Sequence, residues 1–130
     1  MIFILPTAAI AQDSCWSGLT DIFSVQDYDV AKVETGYSSG MRLVVTLFNN
    51  EERGIRMVDG SIVFQDVLDR DILRVGIDPD QKIDSGGTVI QTGVYTNLRL
   101  LDVSKEDVLV TTCIRGLVYA DGEVFKAVEK

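Results

Sequence analysis

Apolar and polar residues alternate along most of this chain with a period of two, the spacing of β-strands that bury one face. Within residues 41–48, Met41, Leu43, Val45 and Leu47 share one parity, which predicts a strand with that face inward. The polar stretch Asn49-Asn50-Glu51-Glu52-Arg53-Gly54 then interrupts it as a loop or hairpin connection. Residues 55–65 resume the pattern with Val58, Ile62 and Phe64 on one parity, and Gly60 between them marks a bulge or kink. In residues 72–77, Leu73, Val75 and Ile77 are expected inside and Arg74 and Gly76 outside, and Asp78-Pro79-Asp80 ends that strand.

After Gly86-Gly87, the run Thr88–Tyr95 is rich in β-formers, and Val108–Tyr119 carries large residues on both parities, as expected of a central strand. Asp121-Gly122 is a tight-hairpin signal leading into Val124-Phe125, and residues 23–33 supply one more strand near the start. Residues 97–107 differ: Leu98, Leu100 and Leu101 precede Ser104-Lys105-Glu106-Asp107, where Ser104 is placed to cap one helical turn. No stretch of ten residues sustains helical periodicity. The expected fold is therefore an all-β, immunoglobulin-like antiparallel sandwich of about seven strands.

Length and composition narrow the picture without changing it. With 130 residues, 46% of them hydrophobic and 25% charged, the chain is sized for one domain with its own core. A formal net charge of −8 would repel phosphate backbones, so nucleic acid is not an expected partner. Histidine is absent, which removes the usual base beside a Ser or Cys nucleophile and a common ligand of catalytic zinc.

Residues 2–11 (IFILPTAAIA) are uncharged and mostly apolar, and Ala9-Ile10-Ala11 has the small-x-small form of a signal peptidase site before Gln12. Residues 1–11 thus read as a signal peptide and residues 12–130 as a single β-sandwich domain, placed in the periplasm or secreted. No Lys or Arg precedes the apolar run, and a longer upstream segment would supply it; a buried first strand is the alternative reading. The run is too short to span a membrane, so no transmembrane span is expected. Cys15 and Cys113 are the only cysteines, and in an exported chain such a pair is expected to form a disulfide. Lipidation of Cys15 would favour small apolar residues before it, where Asp13-Ser14 stand, and a redox or metal pair would need further ligands.

Four stretches carry a family resemblance: Leu47-Phe48-Asn49-Asn50, Ile62-Val63-Phe64-Gln65-Asp66, Ser85-Gly86-Gly87-Thr88 and Val118-Tyr119-Ala120-Asp121-Gly122. Their order resembles the immunoglobulin-like domains of exported bacterial proteins, the FxLYD-like group, with Asp66 matching the motif's aspartate. The resemblance implies an accessory or interaction module without an assigned active site.

Candidate chemistry is confined to carboxylates and loops. Asp66, Asp69 and Asp71 cluster in one predicted loop and Asp78, Asp80 and Asp84 in another, which makes the first group a candidate calcium site, although the spacing is not that of an EF-hand. A carboxylate-dependent hydrolase would need two acids facing each other across a cleft, and no pair is singled out. Ser104-Lys105 cannot form a dyad because adjacent residues on a turn point apart. Trp16 is expected to pack over the disulfide, and Tyr28, Tyr37 and Tyr95 are candidates for a binding face. No cofactor is implied. The function expected is binding of another exported protein through strand edges or through the loop Asn49, Asn50, Glu51, Glu52 and Arg53; a calcium-stabilised module is the alternative.

Overall fold

The computed structural model of the protein describes residues 18–34, 36 and 39–127. Seven strands follow in order: β1 (Phe23–Glu34), β2 (Ser39–Asn49), β3 (Ile55–Asp66), β4 (Asp71–Gly76), β5 (Thr88–Tyr95), β6 (Val108–Tyr119) and β7 (Val124–Lys126). They form two antiparallel sheets, ordered β1-β2-β5 and β4-β3-β6-β7, that pack face to face as an immunoglobulin-like sandwich. The chain changes sheet between β2 and β3, between β4 and β5, and again between β5 and β6, where two short 3₁₀ turns lie at Arg99–Leu101 and Lys105–Asp107. Ser104 precedes the second turn without a side-chain capping bond. Among the described residues no helix is long and apolar enough to cross a membrane.

The core follows the period-two pattern. Met41, Leu43, Val45 and Leu47 of β2 meet Val58, Ile62 and Phe64 of β3 between the layers. Tyr28 of β1 sets its ring edge-on to Phe64, with centroids 5.3 Å apart. The apolar residues on both parities of β6 have a different cause from the one its sequence suggests. Gly60 pairs with Ile114 but Asp59 with Gly116, so Arg115 is an extra residue and the inward parity switches there. Before the bulge Ile114 faces the core, and after it Leu117 and Tyr119 do. Gly60 is required on the opposite strand, since a Cβ there would stand 2.6 Å from Ile114 Cδ1 and 2.7 Å from the Cys113 carbonyl.

A second bulge revises β4. Register slips between Phe64 and Gln65, and Ile72 is buried alongside Val75 and Ile77 while Leu73 is only half-buried. Side chains close the gaps between layers. Gln91 of β5 donates to the Gly76 carbonyl (2.9 Å) and accepts from the Asp78 amide (3.1 Å), Asn97 donates to the Ile72 carbonyl (2.7 Å), and Thr112 Oγ1 donates to the Phe23 carbonyl (2.9 Å). Gly122, at φ 98°, makes the β6–β7 hairpin that Asp121-Gly122 predicts.

Two apolar side chains are buried on the wrong side of their sheet. Val63 and Cys113 have the outward parity of β3 and β6, yet they are 1% and 4% exposed and stand apart from the inter-sheet core. Cys113 is not a free thiol. The segment predicted to be a signal peptide, residues 1–11, and Cys15, Trp16 and Tyr37 all fall outside the described residues.

Candidate functional site

The loop after β2 is tied into the fold by its own side chains. Asn49 is 0% exposed. Its Nδ2 donates to the carbonyls of Arg53 (3.0 Å), Ile83 (3.3 Å) and Asp84 (3.2 Å), while its Oδ1 accepts from the Glu51 amide (2.9 Å). These bonds hold the β2–β3 crossing against the segment that leads into β5. Asn50 donates to the Asp21 carbonyl and to Ser24 Oγ.

Arg53 and Glu51 reach the β6–β7 hairpin. The Arg53 guanidinium lies 3.5 Å from the Tyr119 ring centroid and pairs with Glu123 and Asp121, and Tyr119 Oη donates to Glu51 Oε1 at 2.9 Å. The bond to Glu123 leads the causes that raise the Arg53 pKa. Asn50, Glu52 and Arg53 remain exposed, but four of the five loop residues already hold polar partners within the chain.

The aspartates do not converge on a cation either. Asp66 is buried at the end of β3, where its Oδ1 accepts from the amides of Leu68 (2.8 Å) and Arg70 (3.1 Å) and its Oδ2 from Arg70 Nε (2.9 Å) and Arg99 Nη2 (3.0 Å). A carboxylate filled by two guanidinium groups has no face left for calcium. Asp71 accepts from Gln65 Nε2, and Asp69 occupies the left-handed turn position at φ 66°. Among the described residues no group of three His, Cys, Asp or Glu side chains is placed to hold a metal ion.

Burial works against the charged form of Asp66, but the amides and guanidinium groups around it outweigh burial and hold its carboxyl well below the usual range. Asp27 is also lowered, chiefly by its bond from Lys105, and Asp121 by the Glu123 amide and Arg53. A general acid requires the opposite displacement. Of the two described candidates, Tyr28 is in the core and Tyr95 folds inward over Gly93.

An open concave surface lies elsewhere. A groove of about 530 Å³ is lined by Met57, Asp59, Gly116, Val118, Val124 and Lys126 with their neighbours, where β3, β6 and β7 adjoin. Register explains its form: Met57, Val118 and Val124 make one cross-strand row on the outer face, and Asp59, Gly116 and Lys126 make the next. Gly116 has no side chain to fill the middle of the second row, so a hollow opens between Asp59 and Lys126. Met57 and Val124 are exposed apolar walls. The sequence signal for this site is faint. Val118 and Val124 look like ordinary strand residues until the Arg115 bulge turns Val118 outward.

No family model matches the chain, and no curated protein matches it. Among solved structures it is similar to one described as Northeast Structural Genomics Consortium target SoR45, at 16% identity and a TM-score of 0.45, over 86% of this chain and 84% of that one.

Proposed function

We propose that the chain is an exported, non-enzymatic β-sandwich module that binds another exported protein, and that the groove on β3, β6 and β7 is where it does so. One observation carries this reading: the groove is concave and apolar in its walls, and its Met57–Val118–Val124 row stands outside the inter-sheet core. The occupant that fits is an extended segment bearing one or two apolar side chains for the Met57–Val118–Val124 row and a carboxylate for Lys126. Placement in the immunoglobulin-like FxLYD group and export after cleavage before Gln12 belong to the same proposal. So does a Cys15–Cys113 bridge, which draws support from a Cys113 that is buried and not free in a chain holding only two cysteines.

The binding test compares immobilised native chain with Val124→Glu and Met57→Glu variants, and with Glu52→Ala as a control, against an extract of exported proteins. The substituted positions are exposed, so the fold is expected to survive. A partner retained by the native chain and the control, and reduced about tenfold or more by either groove variant, is the expected result. Retention that ignores the groove variants, or no retention at all, refutes the site. Intact-mass measurement of the exported chain is expected to give a start at Gln12 and a mass lighter by the two hydrogens a disulfide removes. A chain that keeps residues 1–11, or that alkylates at Cys113 before reduction, would contradict the export and bridge readings.

A further inference from the structure

The four sheet edges are not defended alike. β1 carries Asp27, Asp29, Lys32 and Glu34, is bulged between Val25 and Asp27, and has Lys105 bound across it to Asp27 (3.0 Å) and Asp29 (3.5 Å). β4 has only six residues, includes Arg74 and pairs through a bulge, and β7 has three residues and ends on Lys126. These are the usual devices against edge-to-edge pairing: charge, irregularity and shortness. β5 has none of them. Its eight residues, TVIQTGVY, contain no charge and no proline, and its register with β2 runs unbroken from Thr88–Phe48 to Tyr95–Met41.

The backbone of β5 shows which groups are open. Asn49 donates to the Gly87 carbonyl, so Gly87 faces β2, and by alternation so do Val89, Gln91, Gly93 and Tyr95. The N–H and C=O groups of Thr88, Ile90, Thr92 and Val94 therefore point away from β2, and among the described residues no strand pairs with that side. The same four residues send their side chains to the outer face, where Ile90 is 66% and Val94 53% exposed.

We infer that β5 pairs with β5 of a second copy, antiparallel about a two-fold axis, to join two three-stranded sheets into one. An antiparallel edge is complementary to itself whatever its sequence, and here the register that sets Ile90 of one copy opposite Thr92 of the other also sets Thr88 opposite Val94. It covers the full strand and brings every open amide to an open carbonyl. Two chains of net charge −8 repel at a distance, but β5 carries no charge and adds no like-charge repulsion at the seam itself. This contact is separate from the groove.

Sedimentation equilibrium of the full exported chain tests it at about 0.05 and 0.5 M NaCl, spanning Debye lengths from longer to shorter than 10 Å. A reversible monomer–dimer equilibrium that tightens with salt is expected, because screening removes the repulsion. Thr92→Lys, and Ile90→Lys as a second seam position, are expected to weaken the dimer at least about tenfold, since each sets a lysine diagonally across the seam from its own copy. Melting curves of both variants confirm that each still folds, and Val124→Glu in the groove leaves the dimer unchanged. A chain that stays monomeric to about 0.5 mM at both salts overturns the inference. So does a dimer indifferent to both seam lysines, or one that weakens with salt as pairing between opposite charges would.

Discussion

Replacing Asp66 with alanine is expected to lower the melting temperature by about 10 °C and to flatten part of the acid limb of the stability curve. The size follows from how many partners lose one carboxylate. The amides of Leu68 and Arg70 lose the acceptor that shapes the β3–β4 turn, and Arg70 and Arg99 lose their shared counter-ion. Arg99 lies in the connection to β6, so the contact also ties that crossing to the end of β3.

The pH dependence has a definite sign. The carboxyl is depressed in the folded state relative to an unfolded value of about 3.9, so its contribution is complete above that value and is lost as pH falls through the lower folded value. Thermal melts of the native chain at a series of pH values from about 6 downward should fall increasingly below pH ~4, and the alanine variant should fall less over the same window. Some acid sensitivity remains in the variant, because Asp27 and Asp121 are displaced in the same direction. Parallel curves for the two proteins would show that the Asp66 pairs do not stabilise the folded chain.

How far the sequence foretold the molecule depends on the distance over which each signal acts. β5 and β6 begin and end where their composition says, because β-branched runs bounded by Gly, Asp and Tyr define local extended structure without help from the rest of the chain. The inward faces of β2 and of β3 from Val58 to Phe64 are equally local, with core side chains of one parity. Parity fails where a bulge intervenes. Leu73 lies inward opposite Phe64 as its parity predicts, but the slip at Phe64/Gln65 buries Ile72 beside it, and in the central strand β6 the extra Arg115 moves the inward parity from Ile114 to Leu117. A bulge is a property of the pair of strands, and neither sequence alone encodes it.

The candidate sites show the same division. Asp66 was visible as a loop acid but not as the partner of Arg99, which lies 33 positions away, so a structural ion pair was indistinguishable from a calcium ligand. The groove depends on Gly116 standing between Asp59 and Lys126, a juxtaposition of three strands that no spacing along the chain displays. Adjacent asparagines make the point most directly. Asn49 and Asn50 are the same residue type in the same polar stretch, and only their place at the end of β2 decides that Asn49 turns inward while Asn50 stays at the surface.

That contrast gives a quantitative test. Asn49→Ala is expected to cost about 3 kcal/mol, since it strips a buried amide from the Arg53, Ile83 and Asp84 carbonyls and the Glu51 amide and leaves them to partial solvation. Asn50→Ala removes two exposed bonds, to the Asp21 carbonyl and Ser24 Oγ, and is expected to cost under about 1 kcal/mol. Asn49→Asp separates donor loss from cavity formation. It keeps the shape but turns a carboxylate toward three carbonyl oxygens, so near neutral pH it should be more damaging than alanine. Urea denaturation of the three variants, with m-values matching the native chain, provides the comparison. If Asn49→Ala unfolds within about 0.5 kcal/mol of the native protein, or Asn49→Asp is the milder change, the amide does not hold the two sheet crossings together. The loop would then be free to move as a contact surface after all.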